Sequence, residues 1–170
     1  MDIGTGSGCI PVALKKNLPG AQIYACDVSN KALDLAKKNA VLNHAEVHFF
    51  EANVLLEKEM LEEQGNKFDL IVSNPPYIKE SEKAQMEKNV LEHEPHLALF
   101  VEDEDAIIFY KKIIDLCPAS LNKKGKLYFE LNPLTAKAVD HYAGETKQFS
   151  TTELIKDMSG TLRFFKAIRK

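Results

Sequence analysis

Two short stretches hold the side chains best suited to chemistry. The first, Met1-Asp2-Ile3-Gly4-Thr5-Gly6-Ser7-Gly8, has glycine at every second position from Gly4 to Gly8. Such a loop lets backbone approach a ligand closely, and the free amides of a helix that follows point at it. The spacing is Gly-x-Gly-x-Gly, not the Gly-x-Gly-x-x-Gly of dinucleotide sites. It follows an acid, Asp2, which would sit poorly beside a pyrophosphate and well beside an ammonium. About 20 residues further on, Asp27 ends the next apolar run, where a carboxylate can hold ribose hydroxyls. Capping the following helix is the competing role for Asp27. Asn53 ends a third apolar run, and its amide oxygen can accept from an adenine amino group. A plain turn residue is an equal alternative there. A ligand with a ribose, an adenine and a cationic amino acid, but no phosphate, is S-adenosylmethionine.

The second stretch is Asn74-Pro75-Pro76-Tyr77, which stops the apolar run Leu70-Ile71-Val72. Each proline pushes its predecessor toward extended geometry and fixes its own φ. The segment is therefore stiff, rich in carbonyl acceptors and short of backbone donors. A planar amino group on a carbonyl or aromatic ring offers two N–H donors. The Asn74 side-chain oxygen and the Pro75 carbonyl can accept one each, with the Tyr77 ring packed on the planar group. The lone pair of such a nitrogen is spread into its π-system, so it is a weak nucleophile. Holding it in line with a reactive methyl is the main service a protein can offer it. Asn74, Pro75 and Tyr77 are accordingly the expected catalytic residues. No general base is evident, and the proton leaves to water after transfer. A strand-terminating Pro-Pro turn is the alternative reading.

Both stretches need strand ends to carry them. Apolar runs at Ile23–Cys26, Val47–Phe50, Phe68–Val72 and Lys126–Leu131 read as strands, followed by Phe149–Ile155 and Leu162–Ile168 around the turn signal Asp157-Met158-Ser159-Gly160. Helical patterns run over Pro11–Leu18, Asn30–Leu42 and Ala106–Leu116. The second has Ser29 or Asn30 as cap, and Leu33, Leu35, Ala36 and Ala40 on one face. Strand–helix alternation predicts a doubly wound, mainly parallel α/β sheet. The last two strands leave no room for a helix between them, so they should pair as an antiparallel hairpin. The charged stretch Glu57–Lys67 reads as a solvated helix face.

Composition narrows the partners. The chain has 170 residues, enough for one domain with a sizeable core, and 45% of them are apolar. Lysine and arginine total 22 against 25 acids, so there is no global basic field for nucleic acid. Cys9, Cys26 and Cys117 lie far apart without metal-ligand spacing, which suits buried thiols in a reducing cytoplasm. No metal, membrane span or leader is expected.

Together these residues resemble the release-factor glutamine methyltransferases, the HemK-type family within the Rossmann-like class I methyltransferases. "DIGTGSGCI" resembles the family's cofactor loop and "SNPPYI" its substrate motif. "LEHEPHLALF", Leu91 to Phe100, resembles its Glu-Pro segment, the more selective feature. "KLYFELNP" and "IKDMSGTLRFF" resemble its fifth strand and terminal hairpin. The resemblance implies S-adenosylmethionine as cofactor, held by Asp2, Gly4, Thr5, Gly6, Ser7, Gly8, Asp27, Asn53, Val54 and Asn74. It implies Asn74, Pro75, Pro76 and Tyr77 as substrate residues, and the glutamine of the Gly-Gly-Gln loop in peptide-chain release factors as acceptor. The family usually carries aspartate where this chain has Asn53, and a glycine-containing segment where it has "VEDEDAI". By the same comparison, residues 1–170 are one catalytic domain, with a truncated first strand and without the family's helical N-terminal domain. Two other readings stay open: a methyltransferase for adenine or guanine amines in nucleic acid, and an inactive cofactor-binding fragment.

Overall fold

The computed structural model describes residues 1–56, 67–76, 78–79, 100–101 and 105–170. Its centre is a short strand, β1 (Asp2–Ile3), flanked on one side by β2 (Tyr24–Asp27) and β3 (His48–Glu51). On its other side lie β4 (Phe68–Ser73) and then β7 (Leu121–Glu130), β9 (Leu162–Arg169) and β8 (Phe149–Lys156). β9 runs antiparallel to both its neighbours and the remaining pairs are parallel. The mainly parallel sheet and its terminal hairpin match the expectation. A separate two-stranded parallel sheet, β5 (Ile78–Lys79) with β6 (Phe100–Val101), was not foreseen. Strands of two residues carry no readable alternation.

Four helices are present among the described residues. α1 (Cys9–Asn17) and α2 (Asn30–Leu42) join the first three strands, and α2 packs on β2 and β3. α3 (Ile108–Ser120) and α4 (Ala136–Glu145) pack on β7, β8 and β9. Right-handed crossovers run from β1 in one direction and from β4 in the other, which puts the two helix pairs on opposite faces. Alternation along β7 agrees: Phe129 meets Tyr110 of α3 edge-on at 5.1 Å, while Tyr128 faces Ile10 and Leu14 of α1. The core lies on the α3 and α4 side, where Ile71, Ile113, Ile114, Leu127, Phe129 and Phe165 are fully buried.

Local chemistry explains the boundaries. The Ser29 hydroxyl caps α2 by accepting from the Ala32 amide at 3.3 Å. Leu33, Ala36 and Ala40 are buried as expected, but Leu35 is 49% exposed and lies off that face. α3 runs past the expected end at Leu116, through Pro118. A proline there removes the bond to the Ile114 carbonyl. The side-chain amide of Gln148 donates to that carbonyl instead, at 2.9 Å. α4 was not foreseen, because its buried face is only Ala136, Val139 and Ala143. Of the three cysteines, Cys26 and Cys117 are buried and their thiols pushed up to about 12 by desolvation, whereas Cys9 is exposed, contrary to expectation. Most of the charged 57–67 stretch, and Leu91 to His96 with Leu97, Ala98 and Leu99, lie outside the described residues.

Candidate functional site

The strand order reverses between β1 and β4. Open α/β sheets bind ligands at the carboxyl ends of strands on either side of such a point. Both chemistry-bearing stretches sit there. β1 ends into the glycine loop and β4 ends into Asn74-Pro75-Pro76, with Ile3 and Ser73 as direct partners in the parallel ladder.

The loop is fixed by backbone. Gly4 and Thr5 amides both donate to the Cys26 carbonyl, at 2.9 and 3.0 Å, and the Gly8 amide donates to the Thr5 carbonyl at 2.9 Å. From α2, the Asn39 side-chain amide donates to the Ser7 carbonyl at 2.9 Å. Gly4, Gly6 and Gly8 have φ of 73°, 54° and 81°, a left-handed region that favours glycine. A Cβ on Gly4 or Gly6 would meet nothing within 4 Å, so the space above the loop is open. A Cβ on Gly8 would lie 2.9 Å from that of Ala36, so this glycine serves the approach of α1 to α2.

Asp27 ties the glycine loop to the segment that leads into α2. Its Oδ2 accepts from the Gly6 amide at 2.8 Å, and its Oδ1 from the Ser29 amide at 2.9 Å. Each carboxylate oxygen keeps a further lone pair for a hydroxyl donor. Asn53 is a turn residue: its Oδ1 accepts from the Leu55 amide at 3.0 Å. Val54 beside it is half-buried. Asn74 is exposed, Pro75 buried and Pro76 half-buried, while Tyr77 lies outside the described residues. A cavity of ≈ 420 Å³ reaches Asn74 from the α1 side, between Leu14, Val72, Tyr128 and Phe164. None of Gly4 to Gly8, Asp27 or Asn53 lines it, so it is not the cofactor cleft.

Asp2 is the electrostatic outlier. It is 1% exposed, and neither carboxylate oxygen has a hydrogen-bond partner. Burial pushes its carboxyl up to about 6, tempered by the Thr5 hydroxyl, which approaches it without closing a hydrogen bond, and reinforced by Asp27. The Thr5 hydroxyl is itself buried and unpartnered. Orphaned buried acceptors of this kind call for a donor. The ammonium of S-adenosylmethionine, the cofactor that the fold implies, would supply one. The open glycine loop, the free lone pairs of Asp27 and the unpaired Asp2 carboxylate therefore fit that group.

Without a ligand, the same burial makes Asp2 a liability for folding. Below about pH 3 the side chain is neutral in folded and unfolded chain alike. From its ordinary 3.8 up to about 6 it ionises only when unfolded, so stability falls as pH rises. The full loss, up to about 3 kcal/mol at 1.36 kcal/mol per pH unit, is present above pH 6. Asp2→Asn is expected to lack this fall. Urea unfolding at pH 4 and pH 7.5 should show the variant gaining on the native chain by up to that amount between the two.

The sheet order, the antiparallel hairpin and a ligand edge with an open glycine loop define a class I methyltransferase fold. The comparisons agree. A methyltransferase from Pyrococcus furiosus superposes with a TM-score of 0.68 at 17% identity, covering 100% of this chain and 74% of that one. Ribosomal protein L11 methylase from Lactobacillus delbrueckii subsp. bulgaricus gives 0.66 at 22%, covering 99% and 68%. The family model described as "Methyltransferase small domain" matches residues 1–98. The chain belongs to that family. It is 50% identical over 166 residues to a release factor glutamine methyltransferase of Flavobacterium psychrophilum, covering 98% of this chain and 56% of the relative. The corresponding Bacteroides thetaiotaomicron enzyme is 45% identical over 169 residues, covering 99% and 59%. The chain thus spans little more than half the length of these relatives. Among the described residues no helix is long and apolar enough to cross a membrane.

Two contributors escaped the reading of the sequence. Asn39 had no signal, being one polar residue on a helix. Ser73 had a faint one: a hydroxyl at the junction of the apolar run with Asn74.

Proposed function

We propose that residues 1–170 form a catalytic domain that transfers a methyl group from S-adenosylmethionine to the side-chain amide nitrogen of the glutamine in the Gly-Gly-Gln loop of peptide-chain release factors. The observation that carries this reading is the adjacency of Ile3 and Ser73, which sets the glycine loop beside the Asn-Pro-Pro segment. The names of the 50% and 45% identical relatives support the choice of acceptor.

The cofactor supplies a methyl group on a sulfonium centre, already activated for displacement. Asp2 accepts from its ammonium, Asp27 from the ribose hydroxyls, and Gly4 to Gly8, Thr5 and Ser7 included, let backbone close on it. Asn53 and Val54 border the adenine. Asn74 Oδ1 and the Pro75 carbonyl take the two N–H donors of the glutamine amide, Pro76 stiffens the segment, and the Tyr77 ring is the proposed packing surface for the planar amide. The amide plane is then fixed with its out-of-plane direction toward the methyl. So held, the nitrogen would take the methyl group that the sulfonium supplies, with the thioether as leaving group, and would give one amide proton to water.

The test is radiolabelled methyl incorporation into a release factor, its Gln→Ala loop variant and an unmodified nucleic acid. Label is expected in the native release factor alone. Label in the nucleic acid, or equally in the Gln→Ala variant, would overturn the reading.

A further inference from the structure

Ser73 is 1% exposed and stands between the apolar strand and Asn74. Its hydroxyl donates at 2.7 Å to the carbonyl of Ile3, the last residue before Gly4, across 70 positions of sequence. The sheet does not require this bond. Backbone ladders already join β1 to β4, with the Val72 amide donating to the Met1 carbonyl at 2.9 Å. The side-chain bond adds a tie at the point where both strands stop and the two functional segments diverge. Ile3 is locked in turn, because the adjoining Gly4 and Thr5 amides are held on Cys26. On the other side, Pro75 and Pro76 have no amide with which to fasten the segment to a neighbour. The hydroxyl thus adds a side-chain connection, one residue from Asn74, to the end of the strand that leads into the glycine loop.

We propose that Ser73 is a positioning residue, which sets the distance and register between the methyl-donor loop and the acceptor-holding segment. In-line transfer depends on that register. An ångström-scale misplacement from a residue that touches neither reactant lowers the rate strongly. Ser73 itself touches neither one, so its loss affects alignment more than binding. The inference rests on the proposed amide-methyltransferase reading for its rate consequence, but not for the coupling itself.

Two measurements separate these parts. Amide hydrogen exchange of the full chain is followed with and without S-adenosylhomocysteine, the demethylated cofactor. In the native chain this ligand should slow exchange both at Gly4 to Gly8 and at Val72, Ser73 and Asn74. In Ser73→Ala the loop should still be protected and the 72–74 segment should not. Equal protection of both segments in the variant, or none at 72–74 in the native chain, overturns the proposal. If Ser73→Ala does not fold, Ser73→Cys, near in shape and weak as a donor, takes its place. The second measurement is single-turnover methylation of a release factor. The variant should be slower by about tenfold, with cofactor affinity within about threefold of native. An unchanged rate, or a rate loss matched by a loss of affinity, overturns the proposal. A native chain that fails to methylate release factor sinks the substrate reading, while the exchange experiment still decides Ser73.

Discussion

Asn74→Ala is expected to lower methyl transfer to a release factor by about 10²-fold while S-adenosylmethionine binding changes only modestly. The Asn74 side chain is exposed at the end of β4, so its removal leaves the core intact. It opens no cavity and strands no buried partner. Under the proposed function, what it removes is one of two acceptors that fix the plane of the target amide. An amide nitrogen is so poor a nucleophile that its alignment governs the rate, and alignment matters most in the transition state. Asn74→Asp sharpens the test. It keeps an acceptor and adds negative charge near a cationic methyl donor. That charge should tighten the cofactor in the ground state without restoring turnover. Single-turnover rates measured in parallel with cofactor titration check both variants. If Asn74→Ala turns over at the native rate, the Asn-Pro-Pro segment is only a turn.

Gly8→Ala should be among the most damaging single-methyl additions in the fold. Two costs coincide there. Gly8 precedes α1 with φ 81°, where a side chain costs roughly 1–2 kcal/mol. Its new Cβ would also lie 2.9 Å from the Ala36 Cβ and 3.1 Å from the Ala36 Cα, which is backbone of α2 and cannot swing aside. Parting the helices adds about 1–3 kcal/mol. Together these predict a loss of about 2–5 kcal/mol and a drop in Tm on the order of 10 °C. Gly6→Ala is the control. It has the same backbone handedness, with φ 54°, but open space around it, so it should lose only the first part. Thermal unfolding of the two variants side by side checks this. Equal losses would mean that the contact between α1 and α2 is softer than its geometry implies.

These two residues also show where sequence reading stops. Asn74 was legible because proline restricts its neighbours by local sterics, which need no fold. The left-handed glycines were legible as a class for the same reason. That Gly8 answers to Ala36 while Gly4 and Gly6 face open space was not, since a sequence does not record which helix passes overhead. Asp27 is intermediate. Its place at a strand end predicted either ribose binding or a cap, and the structure shows its carboxylate already holding the Gly6 and Ser29 amides. For Asn53 the structure shows a turn contact, its side chain accepting from the Leu55 amide.

The sequence by itself determined the parallel α/β order, the antiparallel hairpin and the local geometry of the glycine loop and the Asn-Pro-Pro segment, because period, proline and glycine act through neighbours along the chain. α4 escaped, since alanines bury a face without an apolar pattern. So did the passage of α3 through Pro118, which depends on an amide from Gln148. Only the tertiary structure decided that Asp2 is buried without a partner, and that Ser73 ties the acceptor segment to the cofactor loop. Desolvation and a hydrogen bond spanning 70 residues depend on what the folded chain brings together, and no local preference encodes that.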